Sequence, residues 1–262
     1  MNTYSIIALG GLVLGSILPS YARADQDVPV RREVTIEQAV QGEFDGLEGK
    51  FQQIVWNRMY LDITSITIDP AKYAIELRQA NEFGSDLGKL IDVVSQTGAI
   101  GGINGGFYEG NKEPSGLVVQ DGKKLHDITS YGGSGIFFID KAGKAGIMSR
   151  AEYAGQDFKL ALQCGPLLVK NGESAVKSYA VSDRSNRRSV VALDKEGHVD
   201  FLVVDPIKLK DLSDFLAERY VSAMNLDGGP STKIYLNDDG QVTQYGSNYV
   251  AVNFLLIKEK PN

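Results

Sequence analysis

Two glycine-rich segments of the sequence carry side chains that could bind and act on an anionic ligand. They are Asn104–Glu109, with the sequence NGGFYE, and Asn225–Thr232, with the sequence NLDGGPST. Each follows an apolar stretch typical of a buried strand, and glycine there lets the main chain approach a ligand closely. Because successive N–H groups in such turns bind anions, the two segments together predict an anion-binding site. Two ordinary tight turns are the alternative interpretation.

A cluster of arginines forms a third candidate element of the same site. Arg184, Arg187 and Arg188 stand immediately before the apolar run 190–193. An arginine at the mouth of a buried strand can bind phosphate or carboxylate through two parallel hydrogen bonds. A solvated basic loop on an acidic protein is the alternative for this segment. Of the three, Arg188 is nearest to the apolar run, with only Ser189 between them, so we expect it to be held most rigidly.

The amino-acid composition and the absence of several motifs argue against other classes of function. The chain of 262 residues has 27 basic and 33 acidic side chains, a net charge of −6, which argues against a nucleic-acid-binding protein. A single cysteine excludes disulfide frameworks and zinc–cysteine clusters, and with two histidines a histidine-rich metal site is not expected. Cys164 is predicted to be a small buried residue. The sequence lacks the H-E-x-x-H, P-loop, G-x-G-x-x-G and G-x-S-x-G motifs.

The elements that must position these residues are mostly strands. Runs rich in β-branched and apolar residues predict strands at Tyr60–Ile68, Tyr73–Arg78, Gly116–Gln120, Ile136–Asp140, Leu167–Lys170, Ser189–Asp194, Val199–Asp205, Lys233–Leu236 and Val250–Lys258. The pairs Asp121-Gly122 and Asn171-Gly172 predict hairpin turns, because both residue types accept positive φ.

Helices are few. Apolar residues at helical spacing predict a helix over Ser85–Ser95, with Ser85 as N-cap and Gly98 beyond its end, and another over Leu212–Tyr220. At most a short helix is expected around Ile36–Phe44. The predicted fold class is therefore α+β: a single domain around a large mixed β-sheet with a few helices.

The N-terminal region predicts export. Residues 6–18 form an apolar run that is too short to span a bilayer and is followed by Ala22-Arg23-Ala24, a signal-peptidase pattern. We therefore divide the chain into a signal peptide (1–24), an acidic N-terminal arm (25–50) and a main folded domain (51–262). The mature protein is expected to be periplasmic or secreted, with no membrane span.

Taken together, the motifs resemble those of the phosphodiester glycosidase family. The resemblance extends over about residues 60–258 and preserves the order and spacing of the motifs. Its segments are Asn104–Tyr108 (family N-G-G-F-F), Gly116–Gly122, Gly165–Val169 (G-P-L-L), Arg188–Val191 (R-[ST]-A-[IV]) and Asn225–Thr232 (N-L-D-G-G-G-S-T). Tyr108 stands in place of a phenylalanine. Pro230 replaces the third glycine of the last motif and removes one N–H donor from that loop.

The resemblance implies hydrolysis of a sugar-1-phosphodiester at the anomeric carbon. Asp227 would be the carboxylate beside the developing oxocarbenium ion, with Glu109 as a weaker second, and Asn104 and Asn225 would supply directional polar contacts. The implied phosphate clamp consists of Arg188, the main chain of Gly105, Gly106, Gly228 and Gly229, and the hydroxyls of Ser231 and Thr232.

The implied substrate is a small or polymeric glycan phosphodiester. No cofactor or protein metal site is required, although a divalent cation bridging Asp227 and the phosphate is compatible with the chemistry. Two alternatives stay open: a metal-dependent phosphodiesterase that cleaves the P–O bond, and a non-catalytic sugar-binding module of the cell envelope.

Overall fold

The computed structural model describes residues 34–38, 43–44, 47–180, 184–238, 241–246 and 250–260. The predicted signal peptide lies outside these residues. The first ten strands are β1 (Val34–Gln38), β2 (Glu43–Phe44), β3 (Leu47–Trp56), β4 (Met59–Ile68), β5 (Tyr73–Gln79), β6 (Gly101–Asn104), β7 (Val118–Gln120), β8 (Lys123–His126), β9 (Gly135–Ile139) and β10 (Ala145–Ser149).

The other nine strands are β11 (Leu160–Cys164), β12 (Leu167–Lys170), β13 (Glu173–Ser174), β14 (Asn186–Leu193), β15 (Val199–Ile207), β16 (Ser222–Asn225), β17 (Lys233–Asp238), β18 (Gln241–Gly246) and β19 (Asn253–Glu259). The α-helices of the described residues are α1 (Leu90–Thr97) and α2 (Leu209–Ala217), and short 3₁₀ helices lie at Ala80–Phe83, Arg150–Glu152 and Gly229–Ser231. The α+β class is confirmed.

The strands form three antiparallel sheets, which corrects the prediction of one large mixed sheet. The first has the order β1-β3-β4-β15-β14-β16-β12-β13 with β2 beside β3, the second β10-β9-β11-β7-β8, and the third β18-β17-β6-β19-β5. Parallel strands need long crossover connections, usually helical, whereas this chain joins many neighbours by tight turns. Both predicted hairpin turns are confirmed, since Asp121, Gly122, Asn171 and Gly172 all have positive φ.

One core joins the three sheets. It combines Ile66 and Phe201 of the first sheet, Phe137 of the second, and Ile103 and Leu255 of the third, all fully or almost fully buried. Helix α2 covers the outer face of the first sheet, and α1 covers the outer face of the third. Each predicted strand coincides with an observed one, because β-branched runs of this kind bury one or both faces of a sheet.

The predicted helices are displaced or absent. Helix α1 begins after Lys89 rather than at Ser85, because Gly88 exchanges main-chain hydrogen bonds of 2.9 Å with Ala251 and holds the chain extended. Gly98 ends the helix in the left-handed conformation, as predicted. Helix α2 begins and ends three residues earlier than predicted.

The prediction of a short helix around Ile36–Phe44 is wrong. Residues Val34–Gln38 and Glu43–Phe44 form strands instead and pair with β3. Strand β3 begins at Leu47, so it crosses the predicted boundary between arm and domain at residues 50 and 51. Pairing with an existing sheet edge outweighs the weak helical preference of this segment.

Candidate active site

The two glycine-rich segments meet at the ends of β6 and β16. The Asp227 main-chain N–H donates to the carbonyl of Gly105 at 3.0 Å, and Asn104 Nδ2 donates to the Asp227 carbonyl at 2.7 Å. A residue of the third sheet thus fixes the main chain of a loop that leaves the first sheet. The structure therefore brings the two predicted segments together.

Asn104 is a buried linker between strands. Its Oδ1 accepts from the Ser189 hydroxyl at 2.7 Å and from the Lys233 main-chain N–H at 3.0 Å. Its side chain is fully buried and takes no part in the cavity lining described below. Asn104 therefore positions Asp227 through the main chain, and the direct ligand contact expected of it is not observed.

The predicted phosphate clamp does not include the main chain of Gly105 and Gly106. Both N–H groups are used within the protein: Gly105 donates to the Asn253 carbonyl at 2.9 Å, and Gly106 donates to Asn253 Oδ1 at 2.8 Å. A Cβ atom on Gly105 would lie 2.0 Å from Asn253 Oδ1. Glycine is needed here because Asn253 approaches so closely, and no N–H is left for a ligand.

A cavity of about 550 Å³ opens above this junction. Its lining combines residues from several separate segments: Phe107, Gly133, Ser134, Gly165, Pro166, Asn186, Arg188, Leu209, Asn225, Asp227, Gly228, Gly229 and Pro230. Among these residues Asp227 is the one carboxylate and Arg188 the one guanidinium. The cavity is large enough for a monosaccharide with a phosphate group.

Asp227 is a partly buried carboxylate on the cavity wall. Burial raises the pKa of its carboxyl group, whereas hydrogen bonds from the Ser231 side chain and the Gly228 N–H, together with the charge of Lys233, lower it. The carboxylate therefore accepts a hydrogen bond from the N–H of the following residue, Gly228. The Asp227 carboxylate thus accepts these hydrogen bonds, and Asp227 also lines the cavity.

Arg188 is buried and held from behind by two main-chain carbonyls. Its Nε donates to Ile207 at 3.1 Å, and its Nη2 donates to Arg184 at 2.7 Å. Arg184 and Arg187 are exposed, so Arg188 is the buried member of the cluster. A guanidinium fixed in this way is preorganised for an anion in the cavity.

Asn225 lines the cavity and has a buried amide oxygen that no described residue satisfies. Its Nδ2 donates to the carbonyls of Gly165 at 3.0 Å and Leu226 at 2.6 Å, whereas its buried Oδ1 has no partner among the described residues. A buried amide oxygen without a partner is costly unless a ligand or water supplies a donor. A sugar hydroxyl would satisfy it.

The loop after Asp227 is a short 3₁₀ turn. Gly228 and Gly229 line the cavity, and Gly229 has a φ of +59°, which favours glycine. Ser231 and Thr232 are buried beneath the loop. Ser231 bonds to the Asp227 carboxylate, so the two predicted hydroxyl contacts to phosphate are not observed in the cavity lining.

Glu109 lies away from the cavity. It is exposed, and its Oε1 accepts from the Ser115 hydroxyl at 2.5 Å. Tyr108 forms an isolated bridge with Pro114, and Glu109 is not among the residues that line the cavity. The prediction of Glu109 as a second carboxylate is therefore wrong.

Sequence reasoning missed several lining residues and one buried charge. Gly133, Ser134 and Leu209 belong to segments far apart in the chain, and no local pattern marks them. Lys233 directly follows the second glycine-rich segment, but a lysine at the start of a strand ordinarily predicts a solvated side chain. In the structure Lys233 is 5% exposed, and burial lowers its pKa to about 8.

Other ionisable groups near the site do not suggest a nucleophile or a metal centre. Cys164 is fully buried, as predicted, and burial raises its pKa to about 12. Within the described residues, no three His, Cys, Asp or Glu side chains form a group that could hold a metal ion.

None of the helices in the described part of the chain is long and apolar enough to cross a membrane.

A single carboxylate and a single guanidinium on one cavity suit a ligand with an anionic group next to a centre that becomes positive. The comparison with protein families agrees with this class of site. The chain belongs to the phosphodiester glycosidase family, whose model matches residues 97–257.

The individual proteins to which the chain is similar share only limited sequence identity with it. The chain is 26% identical over 155 residues to YigE of Escherichia coli (strain K12), which is named as an uncharacterized protein; the alignment covers 55% of this chain and 61% of YigE. This chain thus spans less than two thirds of that relative.

Two solved structures share the fold. The catalytic domain of zebrafish N-acetylglucosamine-1-phosphodiester alpha-N-acetylglucosaminidase, auto-inhibited by its pro-peptide, superposes with a TM-score of 0.65 at 19% identity, covering 87% of this chain and 88% of that one. A hypothetical protein from Synechocystis gives a TM-score of 0.62 at 15% identity, covering 82% and 62% of the two chains.

Proposed function

We propose that this protein is an exported phosphodiester glycosidase that hydrolyses the glycosidic C–O bond of a sugar-1-phosphodiester. The observation that carries the proposal is the placement of Asp227 and Arg188 on one open cavity. Family membership supports the reaction class. The name of the zebrafish enzyme, whose fold is similar, supports a sugar-1-phosphodiester as the substrate class.

Arg188 and Asp227 act on different parts of the substrate: Arg188 on the phosphate and Asp227 on the sugar. The Arg188 guanidinium, with Nε and Nη2 already anchored on main-chain carbonyls, attracts the phosphate into the cavity without reorganising. The aromatic ring of Phe107 offers an apolar surface to the sugar, and Asn225 Oδ1 accepts from one of its hydroxyls. This placement brings the anomeric carbon to Asp227.

Hydrolysis then proceeds at the anomeric carbon. The bond between that carbon and the phosphate oxygen breaks, and the electron pair leaves on the phosphate, where Arg188 balances the charge. Asp227 stabilises the positive sugar. A water molecule adds its oxygen to the anomeric carbon and loses a proton to solvent, which yields a reducing sugar and a phosphate monoester.

One carboxylate is sufficient for this reaction. Ordinary glycosidases use two carboxyl groups, one of which protonates a poor leaving group. A phosphate monoester leaves readily without a proton, so a cavity lined by a single carboxylate matches a phosphodiester better than an ordinary glycoside. The need for a divalent cation stays a separate question, answered by measuring turnover with and without a chelator.

The proposal is tested with a panel of sugar-1-phosphodiesters that differ in sugar, anomer and aglycone. We expect release of reducing sugar from at least one member by the wild-type protein and none by Asp227→Asn. Sugar binding without release of reducing sugar from any member would favour the non-catalytic module instead.

Export is part of the proposal and is supported by the N-terminal sequence alone. The apolar run of residues 6–18 followed by Ala22-Arg23-Ala24 predicts cleavage after Ala24. N-terminal sequencing of protein from the periplasm or medium is expected to begin at Asp25. Protein retained in the cytoplasm with Met1 intact would contradict export.

A further inference from the structure

Lys233 is a buried cation for which the described part of the chain offers no hydrogen-bond partner. It is the first residue of β17, only 5% exposed, and its Nζ contacts no acceptor among the described residues. An ammonium group buried without an acceptor destabilises a folded protein strongly. Such a residue therefore suggests a functional role, since an apolar side chain of the same length would fit the interior at lower cost.

The acidic group whose charge acts on Lys233 is Asp227. The two groups interact electrostatically, and each shifts the pKa of the other toward the ionised pair. Their main chains are held by one side chain: Asn104 donates to the Asp227 carbonyl at 2.7 Å and accepts from the Lys233 N–H at 3.0 Å. The separation of the two residues is thus set by a rigid, buried link.

We propose that Lys233 is a positioning residue whose ammonium group holds the Asp227 carboxylate in its ionised form at the substrate cavity. The proposal rests on the proposed function, because stabilising an oxocarbenium ion requires Asp227 to be charged. A partly buried carboxylate tends to take up a proton, and the charge of Lys233 opposes that tendency together with the hydrogen bonds from Ser231 and Gly228.

The other titratable side chains around this pair do not supply the positive charge that Lys233 supplies to Asp227. From β14, Arg188 lies on the same cavity, but its Nε and Nη2 donate to main-chain carbonyls. From β11, Cys164 stays a neutral thiol because burial raises its pKa to about 12. From the neighbouring β18, burial and the Asp205 carboxylate raise the pKa of Tyr245 to about 12, so this phenol is also neutral.

The sign of the pH effect follows from these shifts. Below a pH of about 8 Lys233 is protonated, and its charge lowers the pKa of Asp227 against the rise caused by burial. Removing the charge leaves only the hydrogen bonds from Ser231 and Gly228 to oppose burial, so Asp227 takes up its proton at a higher pH. Activity on the acid side of the pH profile then falls, whereas activity at neutral and higher pH is retained.

Lys233→Met tests the proposal, because methionine is unbranched and neutral. We expect kcat/KM on the acid limb to fall about tenfold, with the plateau little changed, and the melting temperature at pH 7 to stay the same or rise. Lys208→Met is the matched control: Lys208 is an exposed cation directly before Leu209 of the cavity lining, and its removal should leave the acid limb unchanged.

A second readout is independent of turnover. The Asp227 carboxyl is titrated by ¹³C NMR and assigned by its absence from the Asp227→Asn spectrum. We expect its midpoint to move to higher pH in Lys233→Met; an unchanged midpoint in the folded variant would overturn the proposal. A wild-type protein that hydrolyses no phosphodiester would refute the proposed function, and the NMR titration would still decide the role of Lys233.

Discussion

Asp227→Asn is expected to lose nearly all turnover, on the order of 10³-fold or more in kcat. The carboxylate lies on the wall of the cavity beside the predicted position of the anomeric carbon. An amide of the same shape supplies no negative charge to a sugar that becomes positive in the transition state. The measurement is kcat for release of reducing sugar, with the melting temperature recorded in parallel.

The variant should fold normally, because the main chain of Asp227 is fixed independently of its side chain. Gly105 accepts from its N–H, and Asn104 donates to its carbonyl. An asparagine oxygen can still accept the hydrogen bond from Gly228. A folded Asp227→Asn protein with near-normal kcat would contradict the mechanism, since Glu109 lies outside the cavity and cannot substitute.

Arg188→Lys is expected to lower kcat/KM about 10²–10³-fold, equivalent to ~3–4 kcal/mol of transition-state stabilisation. Lysine retains the charge but has one nitrogen in place of a planar fork. It cannot reproduce the hydrogen bonds to Ile207 and Arg184 and also present a donor to the phosphate. The loss should appear with every phosphodiester that the wild-type protein cleaves.

Arg187→Lys is the matched control for this loss. Arg187 is the preceding residue, its side chain is exposed, and it is absent from the cavity lining. We expect its kcat/KM to stay within about twofold of the wild type, as for ordinary surface substitutions. Equal and small losses at both positions would instead support a solvated basic loop.

Much of the fold could be predicted because its signals are local. The β-branched run Tyr60–Ile68 and the Asp121-Gly122 turn need no distant partner to be recognised, and both are observed. The number of sheets could not be predicted in this way, because pairing between strands far apart in the chain decides it. Gly88 shows the same limit, since its bridge to Ala251 delays the start of α1.

The residues of the candidate site fall into the same two groups: some could be predicted from the local sequence, and others depend on distant partners. Asp227 and Arg188 could be selected from their residue types and neighbours, and the structure places both on one cavity. The roles of Asn104 and Gly105 could not, because both depend on partners more than a hundred residues away in the chain. Lys233 follows the same motif, but only tertiary burial distinguishes it from a surface lysine.

Hydrolysis in water enriched in ¹⁸O tests the central claim most directly. The wild-type protein is incubated with a sugar-1-phosphodiester that it cleaves, and the phosphate monoester product is analysed by mass spectrometry. Cleavage of the glycosidic C–O bond predicts that the water oxygen enters the sugar and that the phosphate monoester carries no ¹⁸O. Incorporation of ¹⁸O into the phosphate monoester would contradict the account and identify a phosphodiesterase that cleaves the P–O bond.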